Sequence, residues 1–243
     1  MHIIKLNAID STNSFLRQLS HAESVQDFTV VVTEYQTDGR GQMGTQWQSQ
    51  NDKNLMFSVF KEVNTLSVSS HFYLSMVVSL AVFEALKAFQ INALKIKWPN
   101  DILSEHKKLC GILIENVIKQ HKLQSSIIGI GININQTLFQ DLPNATSMQL
   151  ISGIHFDREH VLHEVLKQLK HHFELLNSKS YQVLRQAYEA HLFRKDKPST
   201  FKDKEGNLFS GIIKGVSHSG HLQVLIEDNL IQSFEFKEVQ LLY

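Results

Sequence analysis

The chain contains a single cysteine, Cys110, which excludes an intrachain disulfide and any zinc site built from several thiolates. That scarcity suits a reducing compartment, so the cytoplasm is the expected location. A surplus of one charge is also missing. Lys and Arg total 24 and Asp and Glu total 24, so no net field gathers phosphate backbones or anionic lipid. The expectation is therefore no nucleic-acid partner and no membrane partner. Between Met1 and Asp10 there is no room for the apolar core of a signal peptide. The greasiest stretch, Phe72 to Phe83, is interrupted by Ser75 and Ser79 and closed by Glu84. It falls short of the roughly 20 residues that cross a bilayer and reads as a buried helix. No internal repeat or low-complexity tract breaks the chain.

What remains is 243 residues with 42% hydrophobic and 20% charged content, enough for one main domain and a small second one. Periodicity predicts a strand at Ile3 to Asn7 and a helix capped by Ser11 or Thr12, with Phe15, Leu16 and Leu19 on one face. Further strands are expected at Phe28 to Thr33, Leu55 to Phe60, Ile96 to Trp98, Gly111 to Val117 and Ser125 to Ile134. Ser70 to Phe89 reads as an apolar helix, Asp157 to Leu176 as an amphipathic one and Tyr181 to Leu192 as a shorter one. After Pro198 the pattern changes to short strands at Ser199 to Lys202, Leu208 to Val216, His221 to Ile226 and Ile231 to Phe236, as in a small β-barrel. The boundary falls near Lys195 to Pro198, giving domains 1–195 and 196–243.

Four motifs carry candidate chemistry. In Gly39-Arg40-Gly41-Gln42-Met43-Gly44, followed by Trp47, the glycines allow close backbone approach and Arg40 offers a bidentate cation; taken alone, these residues read more readily as a flexible hairpin loop. The spacing also matches a dinucleotide fingerprint, but no helical period follows it. In Lys97-Trp98-Pro99-Asn100-Asp101, Pro99 makes Trp98 extended and presents Asn100 and Asp101 at a turn, where they bind polar groups or Mg²⁺, or merely form an Asx-turn. In Lys107-Lys108-Leu109-Cys110-Gly111-Ile112-Leu113-Ile114-Glu115, a basic pair enters an apolar strand, either to meet phosphate or as a solvated pair. Gly129-Ile130-Gly131-Ile132-Asn133-Ile134-Asn135 puts Gly129, Gly131, Asn133 and Asn135 on one strand face, a groove floor or a bend. The histidines at 160, 163, 171 and 172 have no accompanying Cys or acidic cluster and read as surface or core groups. Cys110 reads as a packed thiol.

In this order, together with Asp10-Ser11-Thr12-Asn13 and Glu34-Tyr35-Gln36, the motifs resemble the biotin protein ligases (biotin–acetyl-CoA-carboxylase ligases) over residues 8–135. The resemblance implies an α+β fold, a mixed β-sheet with helices packed on one side, followed by a small C-terminal SH3-like β-barrel. It implies formation of biotinyl-5′-AMP from biotin and ATP, with Mg²⁺ accompanying the nucleotide, then transfer of biotin to a lysine of a biotin carboxyl carrier protein. By motif matching, Arg40 and Lys108 are the catalytic cations. Biotin falls to Ser11, Thr12, Asn13, Gln36, Gly39, Arg40, Lys108, Gly111, Ile112 and Leu113. ATP falls to Arg40, Gln42, Trp47, Lys97, Asn100, Asp101 and Asn133, and no metal motif stands apart from Mg²⁺ near Asp101.

One departure stands out. The family loop commonly carries three further arginines where this chain has Gln42, Met43 and Thr45. The first motif begins at Asp10, leaving no space ahead of it for the winged helix of the repressor members. A homodimer is compatible with the resemblance. Rival readings are a lipoate or octanoate ligase or transferase of the same fold, and a non-catalytic biotin sensor.

Overall fold

The computed structural model describes residues 1–243, apart from the side chain of Met43. The expectation attached to Met43 therefore lies outside the described residues. The chain runs β1 (Ile3–Ile9), α1 (Thr12–Ala22), β2 (Val30–Gln36), β3 (Leu55–Glu62), α2 (Phe72–Ala88), β4 (Leu94–Lys97), β5 (Asp101–Ser104), β6 (Lys107–Lys119) and β7 (Lys122–Ile132). Then come α3 (Met148–Ser152), α4 (Arg158–Asn177), α5 (Tyr181–Ala190), β8 (Pro198–Asp203), β9 (Leu208–Val216), β10 (Leu222–Leu225), β11 (Ile231–Phe234) and β12 (Val239–Leu242).

Strands β1 to β7 form one sheet in the order β1-β2-β3-β7-β6-β5-β4. Only β1 and β2 are parallel, joined through α1; the remaining neighbours are antiparallel. Side-chain alternation divides the sheet between two cores. Val30, Phe57, Val59, Ile128 and Ile130 join the large core under α2 and α4, while Val31, Phe60 and Ile127 meet Leu16 of α1 on the other face. Helices thus cover both faces, not the single side expected. The sequence contained this answer in its strands: β2, β3 and β7 are apolar on successive residues, which is the pattern of a sheet buried on both sides.

Helix α2 has apolar residues around nearly its whole circumference because the sheet lies on one side and α4 and α5 on the other. With the turn before it, the apolar segment extends over Val68–Ala88, longer than expected and long enough to cross a bilayer, yet 72% of its apolar window is buried inside the protein. Helix α1 starts where Ser11 Oγ accepts from Ser14 N, and α4 starts where Asp157 Oδ1 accepts from Glu159 N at 2.8 Å.

Three elements escaped the sequence reading: β5, α3 and β12 are short, and none has enough residues to express a period. The consequence is largest at β5. Lys97 pairs with Asp101 across a tight turn, so the Lys-Trp-Pro-Asn-Asp run is a hairpin between β4 and β5.

The second sheet is antiparallel in the order β11-β10-β9-β8-β12, with the rings of Phe201, Phe209 and Phe234 stacked in series. A turn at Ser217 to Gly220 docks it onto the first. His218 reaches Ser70 Oγ at 3.2 Å and the Tyr73 hydroxyl at 3.4 Å, and Gly220 O accepts from Trp98 Nε1 at 2.8 Å. Gly220 has φ +91°, and a Cβ there would lie 2.1 Å from the Phe72 ring, so the close approach itself requires glycine.

Candidate active site

On the face that carries α1, cross-strand pairing lines up Met56 with Gly131, Ser58 with Gly129 and Phe60 with Ile127. The next strand adds Gly111, Leu113 and Glu115 beside Gly131, Gly129 and Ile127, and β5 adds Asp101 beside Gly111. Leu16 covers the Phe60 and Ile127 end. Because α1 begins only at Thr12, the rest of this face stays open, and its glycines leave a cleft of about 260 Å³.

One end of the cleft is polar and neutral. Thr12 Oγ1 lies 3.1 Å from Gln36 Oε1 and 2.7 Å from Ser58 Oγ, which in turn donates to Asn13 Oδ1 at 2.6 Å. Ser11, Thr12, Asn13 and Ser58 are all buried. Asn13 lies so close over Gly129 that a Cβ there would meet Asn13 Oδ1 at 2.4 Å.

The glycine-rich loop closes the middle. Gly41 N donates to Thr45 O at 2.7 Å and Trp47 N to Gly39 O at 2.8 Å, a small hairpin that turns Trp47 back over the sheet. The indole rests on Gly131 and Gly111, where added Cβ atoms would sit 2.6 and 3.1 Å from it. Gly39 is buried under the Trp47 carbonyl, so its part is to let the hairpin close. Gln42 lies along the cleft wall.

Cations border the rest of the cleft, Arg40 beside Asn13 and Lys108 and Lys97 at the far end, each already engaged. Arg40 donates to both Glu115 oxygens, at 2.9 and 3.4 Å, and Lys108 Nζ lies 2.7 Å from Asp101 Oδ1. Lys97 Nζ sits 4.9 Å from the centre of the Tyr243 ring. Beyond Trp47 the cleft continues into a recess of about 350 Å³, where Asn133, Leu142 and Tyr243 join Lys97, Asp101 and Lys108.

Residues 6–133 match a family model, the Biotin/lipoate A/B protein ligase family. The chain belongs to the biotin/lipoate A/B protein ligase family. A bifunctional ligase/repressor BirA from Bacillus spizizenii is 34% identical over 170 residues, covering 68% of this chain and 51% of that protein. The chain therefore spans about half the length of that relative. A biotin–[acetyl-CoA-carboxylase] ligase from Mycobacterium tuberculosis is 31% identical over 163 residues, covering 66% of this chain and 59% of that one. Among solved structures, the biotin protein ligase from Aquifex aeolicus in complex with biotin and ATP superposes with a TM-score of 0.83 at 30% identity, covering 99% of this chain and 98% of the other.

Within this ligase fold, Ser11, Thr12, Asn13, Gln36, Arg40, Gln42, Trp47, Lys97, Asp101, Lys108, Gly111 and Leu113 all border the one cleft. Asn100 and Ile112 border it too and Asn133 borders the adjoining recess, though their side chains are engaged elsewhere, while Gly39 does not border it. Ile112 pairs with Ile130 and its side chain belongs to the large core on the opposite face, since neighbours along a strand alternate; Gly111 and Leu113 stand on the cleft face. Asn100 is buried and its amide nitrogen donates to Ile112 O, stitching the β4–β5 turn to β6. Asn133 is likewise buried, donating to Thr146 O at 2.9 Å, so it shapes the recess by holding the following loop. Asp101 is held by Lys108, and among the described residues no group of three or more His, Cys, Asp or Glu is placed to hold a metal. Cys110 is fully buried, and burial pushes its thiol well above the usual range, the state of a packed group rather than a nucleophile.

The sequence reading missed Met56 from β3, and Phe236 and Lys237 from the turn between β11 and β12, all of which border the cleft, and Ser58 of β3, buried behind Thr12 and Asn13. Phe236 packs edge-on against Trp98 at 6.1 Å. Ser58 was detectable as a serine interrupting an apolar strand. Phe236 and Lys237 carried no signal, because only the docking of the second sheet brings them there.

Proposed function

We propose that this protein is an ATP-dependent biotin protein ligase, forming biotinyl-5′-AMP and then biotinylating a lysine on a biotin carboxyl carrier domain. The observation that carries the proposal is the polarity of the cleft: a buried, neutral hydrogen-bonding end, a glycine floor under Trp47, and a cationic end in one continuous space. Biotin has the same order of parts, a ureido ring, an apolar chain and a carboxylate. Ser11, Thr12 and Gln36 hydrogen-bond the ureido end, with Ser58 holding Thr12 and Asn13 from behind, and Leu113 and Met56 flank the chain. Arg40 and Lys108 neutralise the carboxylate and the phosphates, with Trp47 against the base.

In the first step a biotin carboxylate oxygen bonds to the α-phosphorus of ATP and the bond to pyrophosphate breaks. In the second, the neutral amine of the acceptor lysine attacks the acyl carbon, AMP leaves, and the amine gives up a proton. Both steps ask for alignment and charge neutralisation, which these residues supply. Mg²⁺ enters with the triphosphate. A lipoyl substrate fits less well, since its dithiolane has no groups to satisfy the polar end and would leave buried hydroxyls and amides unpaired.

Exchange of labelled pyrophosphate into ATP that depends on biotin, followed by the mass shift of a biotinyl group on an acceptor domain, tests the proposal. Exchange supported by lipoate and not biotin would move the assignment to the sister activity. Biotin binding by calorimetry with no exchange would indicate a sensor.

A further inference from the structure

Glu115 lies at the junction of β6, α1 and the glycine-rich loop, beside Asn13 at the polar end of the cleft, and takes no part in the reaction described above. Its carboxylate, largely shielded with a side-chain exposure of 12%, receives Asn13 Nδ2 at 2.9 Å, Arg17 Nη2 at 3.0 Å and Arg40 Nη2 at 2.9 Å. Arg40 Nη1 adds contacts to the second oxygen at 3.4 Å and to Ser14 Oγ at 3.3 Å. Two guanidiniums against one carboxylate leave the cluster with one positive charge in excess, so the ion pairing fixes Arg40 without cancelling its attraction for an anion.

Donor–acceptor logic extends this junction across the sheet. Asn13 Oδ1 only accepts, so the Ser58 hydroxyl must donate to it. Ser58 Oγ also lies 2.7 Å from Thr12 Oγ1, whose hydroxyl donates to Gln36 Oε1 at 3.1 Å, as Thr12 N does at 2.9 Å. The contacts are continuous from Gln36 and Thr12 through Ser58 and Asn13 to the Glu115 carboxylate, with Arg40 clamped on its far side. Glu115 owes its place to the β6–β7 register, which sets it beside Ile127, two residues along the strand from Leu113.

We propose that Glu115 is a positioning residue for adenylation: it orients Arg40 over the cleft and ties that orientation to the polar pocket through Asn13. The inference rests on the ligase reading, and it assigns Glu115 no contact with substrate. Three of Arg40's N–H groups are engaged by Glu115 and Ser14, and the remaining two are left for a carboxylate or phosphate, pointed by a partner that cannot swing away.

The test is a double-mutant cycle in biotin-dependent pyrophosphate exchange with Glu115→Gln, Arg40→Ala and the pair. Misplacing a charge-neutralising group by about 1 Å costs on the order of 10- to 100-fold in rate. Glu115→Gln is expected to lower kcat by about that factor with a smaller change in the biotin KM. In the Arg40→Ala background the same substitution should have no further effect. Equal losses in both backgrounds, or faster exchange in Glu115→Gln, would overturn the proposal. Should Glu115→Gln fail to fold, Glu115→Asp keeps the charge but shortens its reach, and full activity in that variant would count against positioning. Wild-type protein without biotin-dependent exchange would reject the ligase reading itself, a result separate from any difference among variants.

Discussion

Replacing Gly131 by alanine isolates the contact on which the cleft depends. An added Cβ would lie 2.6, 2.8 and 3.0 Å from three atoms of the Trp47 indole. Ordinary carbon contacts are about 3.5–4.0 Å, so the indole has to lift by about 1 Å. Gly131 lies in β7 with no left-handed φ, so alanine is compatible with the backbone. Trp47 belongs to a loop hairpin, which can yield. The overpacking cost therefore falls near the lower end of its usual range, about 1 kcal/mol, or roughly 2–4 °C in Tm for a chain of this size. Positioning is less forgiving: a displacement of about 1 Å costs on the order of 100-fold in rate. Gly131→Ala should thus keep its fold and lose about two orders of magnitude in kcat/KM for biotin-dependent pyrophosphate exchange. Exchange within threefold of wild type, or a loss matched by unfolding, would refute the assignment of Trp47 as the closing wall.

The docking of the second sheet predicts that Gly220→Ala is more damaging to stability. The left-handed φ costs about 1–2 kcal/mol and the clash with Phe72 about 1–3, together lowering Tm by roughly 5–15 °C in a thermal melt. An unchanged Tm would mean that the Ser217 to Gly220 turn does not carry the interface. Gln42→Arg should slow release of biotinyl-AMP roughly tenfold in a stopped-flow chase, since hydrogen bonds to ionised groups exceed neutral ones by about 1–2 kcal/mol; an equal or faster off-rate rejects that role for the loop. Burial holds His172 and His191 below the ordinary imidazole range. Both are neutral in folded and unfolded chains above about pH 6.5, and below it the unfolded chain binds protons that the folded one does not. The urea midpoint should therefore fall as pH drops from 7 towards 5, and His172→Gln should flatten that slope; a midpoint that rises would show the sign to be wrong.

The four motifs were legible because each places residues whose chemistry is unusual for its element: glycines in strands, a cation in a glycine loop, and a basic pair at a strand entrance. Their faces were less legible. Ile112 stands between two cleft residues in the sequence, yet alternation turns its side chain into the opposite core. Asn100 and Asn133 have the donors and acceptors a nucleotide would need, but backbone carbonyls at Ile112 and Thr146 take their amide nitrogens. An amide in a motif does not reveal which partner reaches it first. The rule that buried polar groups must be paired applies, and here the chain itself supplies the partner.

Residue order alone determined the main elements, the change of character after Pro198 and the set of residues that gather at the cleft, because periodicity, turn chemistry and motif spacing are local properties. Tertiary structure decided what those residues do to one another. Arg40 meets Glu115, Lys108 meets Asp101, and Trp47 lies on Gly131 through contacts between segments far apart in the chain. Phe236 and Lys237 reach the cleft only because a turn containing Gly220 fits against Phe72 and Trp98. Hydrophobic pattern assigns a side chain to a buried or an exposed face, but the identity of its neighbour depends on strand register and domain docking, which the packing of the whole chain sets.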